Sequence, residues 1–484
     1  MSEANRSGRH FLIRPLVAIL TLVALPVALM AALPPVTASA GGHTVYVPPP
    51  NGTDDTANIQ TALHKCVAYG ENCTVQLAAG TYHTKQLVAY NFQGTFKGMG
   101  TSNTTIQAIY PLPVNLPDVY YDGECMPNTS SCLWPSLIIF VNGNIEVSDL
   151  GIMELAPPGE ATTGWYFEGS KNTDLIDAIR FMGSLPTHAA IDRVNVEGLT
   201  DGSPTSSGFN LINGAIFVGE LPRSSTPFDY YVLSGSLTVR NSSFNTMDDG
   251  VAGGDLTSSQ FTIGGSPYTG NSFQNDYTGM DLESAANSDF DISYNTSSGI
   301  DAAMWVVPYH PSFHPFLPSR PSQYSIHDNH FVGTGSGGDG MYFFDGPGKP
   351  WIQAAAWNNT IELQNTQMEG IGAYNTTGTA IWNNTVTGSN GADAIGLWNS
   401  NQDRVIGNNV NGFTVGPAGY AQIYLDPETT GDLVLCSSPS NTVLNQGKKN
   451  VVIGCQDPAV KSVSPAASER SLGLQTGKPW LRQP

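Results

Sequence analysis

Charged side chains are scarce in this chain: Asp, Glu, Lys and Arg make up 12% of its 484 residues, and 40 acids stand against only 20 bases. With a formal net charge of −20, it has no basic surface with which to neutralise phosphates. That excludes nucleic acid and anionic lipid as partners, and counts against densely anionic polymers unless Ca²⁺ bridges them. Cysteine is limited to six residues, none with the Cys-x-x-Cys spacing or neighbouring histidines of a zinc site, so no metal is expected. There is one long apolar run, Leu16 to Leu33. Arg6, Arg9 and Arg14 precede it and Ala38-Ser39-Ala40 follows, the pattern of an export signal over residues 1–40 cleaved near Gly41. An uncleaved anchor is the alternative, opposed by Pro26, Pro34 and Pro35 and by the small-residue site. Loss of the signal removes more Arg than Glu, so the mature chain is more acidic still. It is expected outside the cell, off the membrane and as a monomer.

Export makes disulfides the natural use of the cysteines. They fall into three local pairs, Cys66 with Cys73, Cys125 with Cys132, and Cys436 with Cys455, although sequence alone does not fix connectivity.

What the chain has in quantity is Gly and Asn, arranged in a repeat. Segments starting at Asp249-Gly250, Thr278-Gly279, Ser298-Gly299, Asp339-Gly340, Glu369-Gly370 and Asp393-Ala394 overlay, each followed by a short alternating strand, with a looser member at Tyr420-Ala421. Ahead of them Asn271, Asn295, Asn329, Asn359, Asn384, Asn409 and Asn441 form one column at intervals of about 24 to 34 residues, too short for helix-bearing units. Asn tolerates left-handed turn geometry and can bond its counterpart one rung away. The pattern predicts an all-β solenoid, a single-stranded parallel β-helix over residues 85–455. A cap segment over residues 41–84 precedes it. There Thr53-Asp54-Asp55 caps a short helix whose Ile59, Leu63 and Cys66 plug the open end. Residues 456–484 are a polar tail.

The runs Asp54-Asp55-Thr56 with Ile59-Gln60 and Ala62, Val75-Gln76-Leu77-Ala78-Ala79-Gly80-Thr81-Tyr82, and Phe96-Lys97-Gly98-Met99-Gly100 with Thr105-Ile106 resemble the entry to the pectin-lyase-like right-handed parallel β-helix superfamily. The later Asn-rich rungs resemble its repeat region. The resemblance implies the fold and leaves activity open, since the superfamily holds lyases, hydrolases, epimerases and non-enzymatic surface proteins.

Side chains alternate along a strand, so Val251, Met280, Ile300, Met341, Ile371 and Ile395 are expected to point inward. One outward column then reads Ala252, Asp281, Asp301, Tyr342, Gly372, Gly396 and Gln422. The other reads Gly254, Glu283, Ala303, Phe344, Tyr374, Trp398 and Tyr424. The four aromatics that end the second column, with Tyr342 in the first, make a strip on which sugar rings can stack, and Gly372 and Gly396 leave a trough beside it. A purely structural ladder is the alternative. Asp281, Asp301 and Glu283 cluster at the upstream end, with Asp248 and Asp249 one rung earlier. Carboxylates so close cannot all ionise, which supplies a general acid beside a general base. Glycoside hydrolysis uses such a pair, separated by about 5 to 5.5 Å for retention or 6.5 to 9.5 Å for inversion. A Ca²⁺ site or solvated turn acids would use the same residues.

Asn245-Thr246-Met247-Asp248-Asp249-Gly250 is faintly similar to the acidic motifs of polygalacturonases, but the Arg-Ile-Lys and Gly-His segments of that family are missing. The insertion Val306 to Gln323 carries His310 and His314, read as groove-edge substrate contacts because its prolines deny them the helix that a His-x-x-x-His metal pair needs. Arg320 in the same insertion is the one candidate base for a lyase. Gly333 to Gly340 lacks the Lys and helix of a phosphate loop. The resulting expectation is a carbohydrate-active protein acting on an extended polysaccharide, first as a glycoside hydrolase requiring no cofactor. A polysaccharide lyase and a non-catalytic carbohydrate-binding surface protein are the alternatives, and Ca²⁺ is possible, as a bridge to a polyanion or at the acidic cluster.

Overall fold

The structure is a computed structural model that describes residues 42–109, 136–154, 177–198, 216–219, 221–222, 230–231, 234–245, 249–253, 256–308, 319–333, 339–346, 350–364, 369–388, 393–413 and 421–456. The expected signal, the tail beyond Gln456, the Cys125–Cys132 pair, Asp248, His310 and His314 lie outside these residues.

The chain winds into a coil with three parallel faces. In one turn of it, Ile352–Trp357 lies on the first face, Thr360–Leu363 on the second and Ile371–Tyr374 on the third. Each pairs in parallel with its counterpart one turn later: Ala355 with Ala380, Thr360 with Thr385, Ile371 with Ile395. Successive turns are thus separated by the spacing of hydrogen-bonded strands, about 4.8 Å. Like residues stack on like. On the first face Ile263, Ile292, Ile326, Ala356, Ile381 and Val405 form one buried inward column. Beside it Phe261, Phe290 and Tyr324 stack inside the coil with ring centroids 4.9 and 4.3 Å apart.

The bend between first and second faces explains the asparagines. Tyr294, Asp328, Asn358 and Asn383 take φ of 61, 55, 55 and 54°, a left-handed bend, and an Asn follows each. The backbone N–H and Nδ2 of Asn295 both donate to Oδ1 of Asn329, at 2.9 and 3.0 Å, and Nδ2 also donates to the Ile263 carbonyl at 2.8 Å. The same bonds recur through Asn359 and Asn384, so these buried amides satisfy one another. The column ends on Asn408, not on Asn409 as the spacing suggested, because Gly407 takes the bend at φ 65°. Asn441 belongs to a different turn, where its Oδ1 accepts from the Ser438 N–H at 3.1 Å and its Nδ2 donates to Gln422 at 3.2 Å.

A helix, Thr56–Tyr69, covers the first turn with Ile59, Ala62, Leu63 and Cys66 buried, and Cys66 is bonded to Cys73 at the start of the next strand. Asp55 sits at its N-cap without a side-chain capping bond; its carboxylate instead accepts from the N–H groups of Asn51 and His83, at 2.9 and 3.3 Å, tying the helix entry to strand Gly80–Thr84. Parallel pairing already begins at Thr44–Tyr46, ahead of the residue 85 at which the sequence reading starts the coil. At the other end Cys436–Cys455 joins the last two first-face strands. Among the described residues, no helix is long and apolar enough to cross a membrane.

The third face carries one correction of register. Met280 pairs with Met304 and Asp281 with Trp305, so Ile300 and Asp301 are not in the columns assigned to them. Ser298-Gly299-Ile300-Asp301 imitates the Gly-apolar-acid pattern of the other repeats, but the small position it mimics is filled by Ala303. That position requires a small residue: a Cβ on Gly370 would lie 2.4 Å from Val386 Cγ1, and one on Gly340 2.5 Å from Ile361 Cγ2. A second shift affects the C-terminal end, where Gly396 pairs with Tyr424, placing Tyr424 rather than Gln422 in the first outward column.

Candidate functional site

With the register corrected, the first outward column of the third face reads Ala252, Asp281, Trp305, Tyr342, Gly372, Gly396 and Tyr424. Phe344, Tyr374 and Trp398 form the second. The rings of the two columns run on from one another, with centroids 6.0 Å apart for Trp305–Tyr342 and 5.8 Å for Tyr374–Trp398 within a column, and 4.5 Å for Tyr342–Tyr374 and 4.7 Å for Trp398–Tyr424 between columns. Tyr374 and Trp398 are parallel to within 4°, an offset stack. Trp305, Tyr342 and Trp398 are half-buried, whereas Tyr374 and Tyr424 are 6% and 7% exposed.

Gly372 and Gly396 do not leave an open trough; Glu369 lies across them. A Cβ on Gly372 would stand 2.5 Å from Glu369 Oε2 and 2.8 Å from the Tyr374 ring, and one on Gly396 2.8 Å from Glu369 Oε1 and 2.7 Å from Trp398 Nε1. Only glycine at both positions lets a carboxyl group lie flat against the sheet among aromatic rings. Glu369 Oε2 accepts from the Tyr374 hydroxyl and Oε1 from Trp398 Nε1, each at 2.7 Å.

Glu369 is 7% exposed, and burial pushes its carboxyl up to about 7 against the opposing pull of the Tyr374 and Trp398 hydrogen bonds. One turn later Asp393, 2% exposed, accepts from the Ala421 N–H at 2.6 Å. Burial, and then the charge of Glu369, hold the Asp393 carboxyl well above the ordinary range. Two coupled acids in a dry site do not both ionise near neutral pH, so the pair holds at least one proton there. Burial and then the charges of Asp426, Asp393 and Glu369 push the Tyr424 hydroxyl up as well, keeping it a neutral donor.

No protein-family model and no curated protein matches the chain. Among solved structures it is similar to the Dettilon tailspike protein (gp208), with a TM-score of 0.50 and 14% identity over 82% of this chain and 69% of that one. The fold is a parallel β-helix. The β-helix also aligns with the DFA-IIIase from Arthrobacter chlorophenolicus A6 without its lid, at TM-score 0.49 and 10% identity over 84% of this chain and 99% of that one. With the Agl-KA catalytic domain the TM-score is 0.48 and the identity 15%, over 85% and 68%.

On this β-helix the residues singled out in the sequence divide. The structure brings Tyr342, Phe344, Tyr374, Trp398 and Tyr424 together on one face. Asp281 lies at the upstream end of that face, 7% exposed, with Trp305 and not Asp301 beside it. Glu283 and Asp301 are on the same two strands. Asp249 pairs with Thr278 at the entry to the third face. Arg320 sits by the first face instead, donating to the Asn287 carbonyl and to Asp289 Oδ2, each at 2.8 Å. Among the described residues, no three His, Cys, Asp or Glu side chains gather as a metal set.

Sequence reasoning missed Glu369 and Asp393. Both occupy the repeat position before the small residue, in line with Asp249, Thr278, Ala302 and Asp339. The signal was present in Glu369-Gly370 and Asp393-Ala394, two acids one turn apart next to the aromatic strip. It served only to align the repeats.

Proposed function

We propose that this is a secreted carbohydrate-active β-helix, a glycoside hydrolase that holds a polysaccharide on the third-face aromatic strip and cleaves it with Glu369 and Asp393. The observation that carries the reading is a coupled, desolvated carboxyl pair set into an outward aromatic surface that the interior does not need for packing. Export is supported by the signal pattern and the two disulfides.

In this mechanism the carboxyl that keeps the proton, Asp393, gives it to the glycosidic oxygen. The ionised Glu369 takes a proton from the water that attacks the anomeric carbon, so that one C–O bond breaks and one forms. Tyr374 and Trp398 fix the Glu369 carboxyl, and sugar rings stack on the half-buried Trp305, Tyr342 and Trp398. No step requires a metal. Asp281, with Glu283 on the same strand and Asp301 on the next, is a flanking acid at the upstream end.

A second reading, carbohydrate binding without cleavage, is favoured by the low exposure of both carboxyls. The test is a screen of the mature protein against neutral and uronic polysaccharides, with Ca²⁺ or with chelator. It scores new reducing ends and the ultraviolet absorbance of unsaturated uronates. Reducing ends without that absorbance, abolished by Glu369→Gln and by Asp393→Asn, support the hydrolase. Cleavage that persists in both variants removes the pair from catalysis, and binding with no cleavage of any polymer supports the second reading.

A further inference from the structure

The first face carries an aromatic stack of its own, on a different side of the coil from Glu369 and Asp393. His327, Trp357, Trp382 and Ile406 occupy one outward column in successive turns. The His327 and Trp357 rings are 4.4 Å apart and 15° from parallel, and the Trp357 and Trp382 indoles 4.9 Å apart and 5° from parallel. All three are half-buried.

Two planar rings in contact lie about 3.5 Å apart, so parallel indoles whose centres are 4.9 Å apart must be slipped sideways by about 3 Å. The rings overlap like shingles, and part of each face stays uncovered. Two residues before the stack, Ser325, Ala355 and Ala380 form a parallel outward column of small side chains, a shallow floor beside the indole wall. One residue after it stand the bend residues Asp328, Asn358 and Asn383, of which the two amides are exposed. His327 heads the stack and is held by Asp291 at 3.3 Å and Asp328 at 2.8 Å.

We infer that this face is a second carbohydrate-binding site, taking an extended neutral polysaccharide along the axis of the coil. Its chemistry has the two parts that a pyranose chain needs. Slipped aromatic faces receive the apolar C–H side of each sugar, and a rim of amides and carboxylates receives the hydroxyls. The small-residue column gives the rings room to lie down. Charge chooses among polymers: carboxylates at the head of the stack, on a chain of net charge −20, repel a polyanion and leave a neutral glycan as the occupant. The proposal does not depend on the hydrolase reading.

The test is affinity electrophoresis through gels containing soluble β-glucan, xylan, mannan or starch, with Glu369→Gln as the parent so that cleavage cannot interfere. The parent is expected to be retarded by at least one neutral polymer. Adding Trp357→Ala and Trp382→Ala weakens that binding about tenfold, and adding Trp357→Phe and Trp382→Phe, which keep a smaller stack, weakens it about threefold. Retardation by none of the four polymers overturns the inference, as does equal retardation of the parent and the Phe variant. The Phe variant also decides the matter if the Ala variant does not fold. Trp398→Ala, made separately, reports on the third face alone, so failure of one site is read independently of the other.

Discussion

Replacement of Glu369 by Gln has a computable effect on stability as well as on activity. Burial raises this carboxyl from 4.5 in the unfolded chain to about 7 in the folded one. A folded-state value raised in this way means that the contribution is fully present below the unfolded value and is lost as pH rises through the folded one. At about 1.4 kcal/mol per unit, ionising Glu369 in place costs about 3 kcal/mol between pH 4.5 and 8. Gln has the same shape: its carbonyl oxygen can accept from Trp398 Nε1 while its amide donates to the Tyr374 hydroxyl oxygen, and it does not ionise. The measurement is urea unfolding of the mature parent and Glu369→Gln at pH 5 and pH 8. The variant is expected to be more stable by less than about 1 kcal/mol at pH 5 and by about 3 kcal/mol at pH 8. Asp345, Asp393, Asp403 and Asp432 are also raised, chiefly by burial, and slope the parent curve in the same direction; the difference between the two proteins reports Glu369 together with the effect of its charge on Asp393. A difference that does not change with pH would refute the desolvated-carboxyl argument.

Gly372→Ala places a methyl group 2.5 Å from Glu369 Oε2, so the carboxyl must leave its two donors; cleavage should fall at least tenfold, measured as reducing ends, while the circular dichroism spectrum is unchanged. Asn329→Ala removes four hydrogen bonds, two accepted by the amide oxygen and two donated by the amide nitrogen of one residue, and strands the Asn295 N–H inside the coil. About 3 kcal/mol of stability should be lost in urea unfolding, and a loss below 1 kcal/mol would contradict the ladder account. Replacing both Cys436 and Cys455 by Ser opens a loop closed over a sequence separation of 19, worth about 3 kcal/mol by chain entropy. Hydrogen exchange should accelerate first in strands Leu433–Leu435 and Val451–Ile453.

The architecture was readable because it rests on features that repeat: bend asparagines, alternating strands and small residues recur in every turn, and each recurrence reinforces the others. The aromatic strip was readable for the same reason, as Phe344, Tyr374 and Trp398 keep one spacing. Register was less secure. Gly299 and Asp301 copy the local pattern of Gly279 and Asp281, and only the pairing of whole strands shows that Ala303 and Trp305 are the true counterparts. The carboxyl pair was hidden for another reason. Glu369 belongs by sequence to the entry of its strand, and it reaches the strip because Gly372 and Gly396 clear a path. That path is a property of two turns together and is absent from any single repeat.

The amide column has a direction. Every member from Asn271 to Asn384 gives its N–H groups to the oxygen of the next, and each after Asn271 receives from the one before, so its dipoles add along the axis and the pattern is unchanged by a step of one turn. Such a column carries no record of its own length. Excision of one whole turn, residues 359–383, would set Asn384 against Asn329 in the place of Asn359, with every bond remade. Excision of a fraction of a turn would leave donors facing nothing. Insertions and deletions in the coil are therefore quantised in whole turns, and variation that is not must fall in the connections between faces.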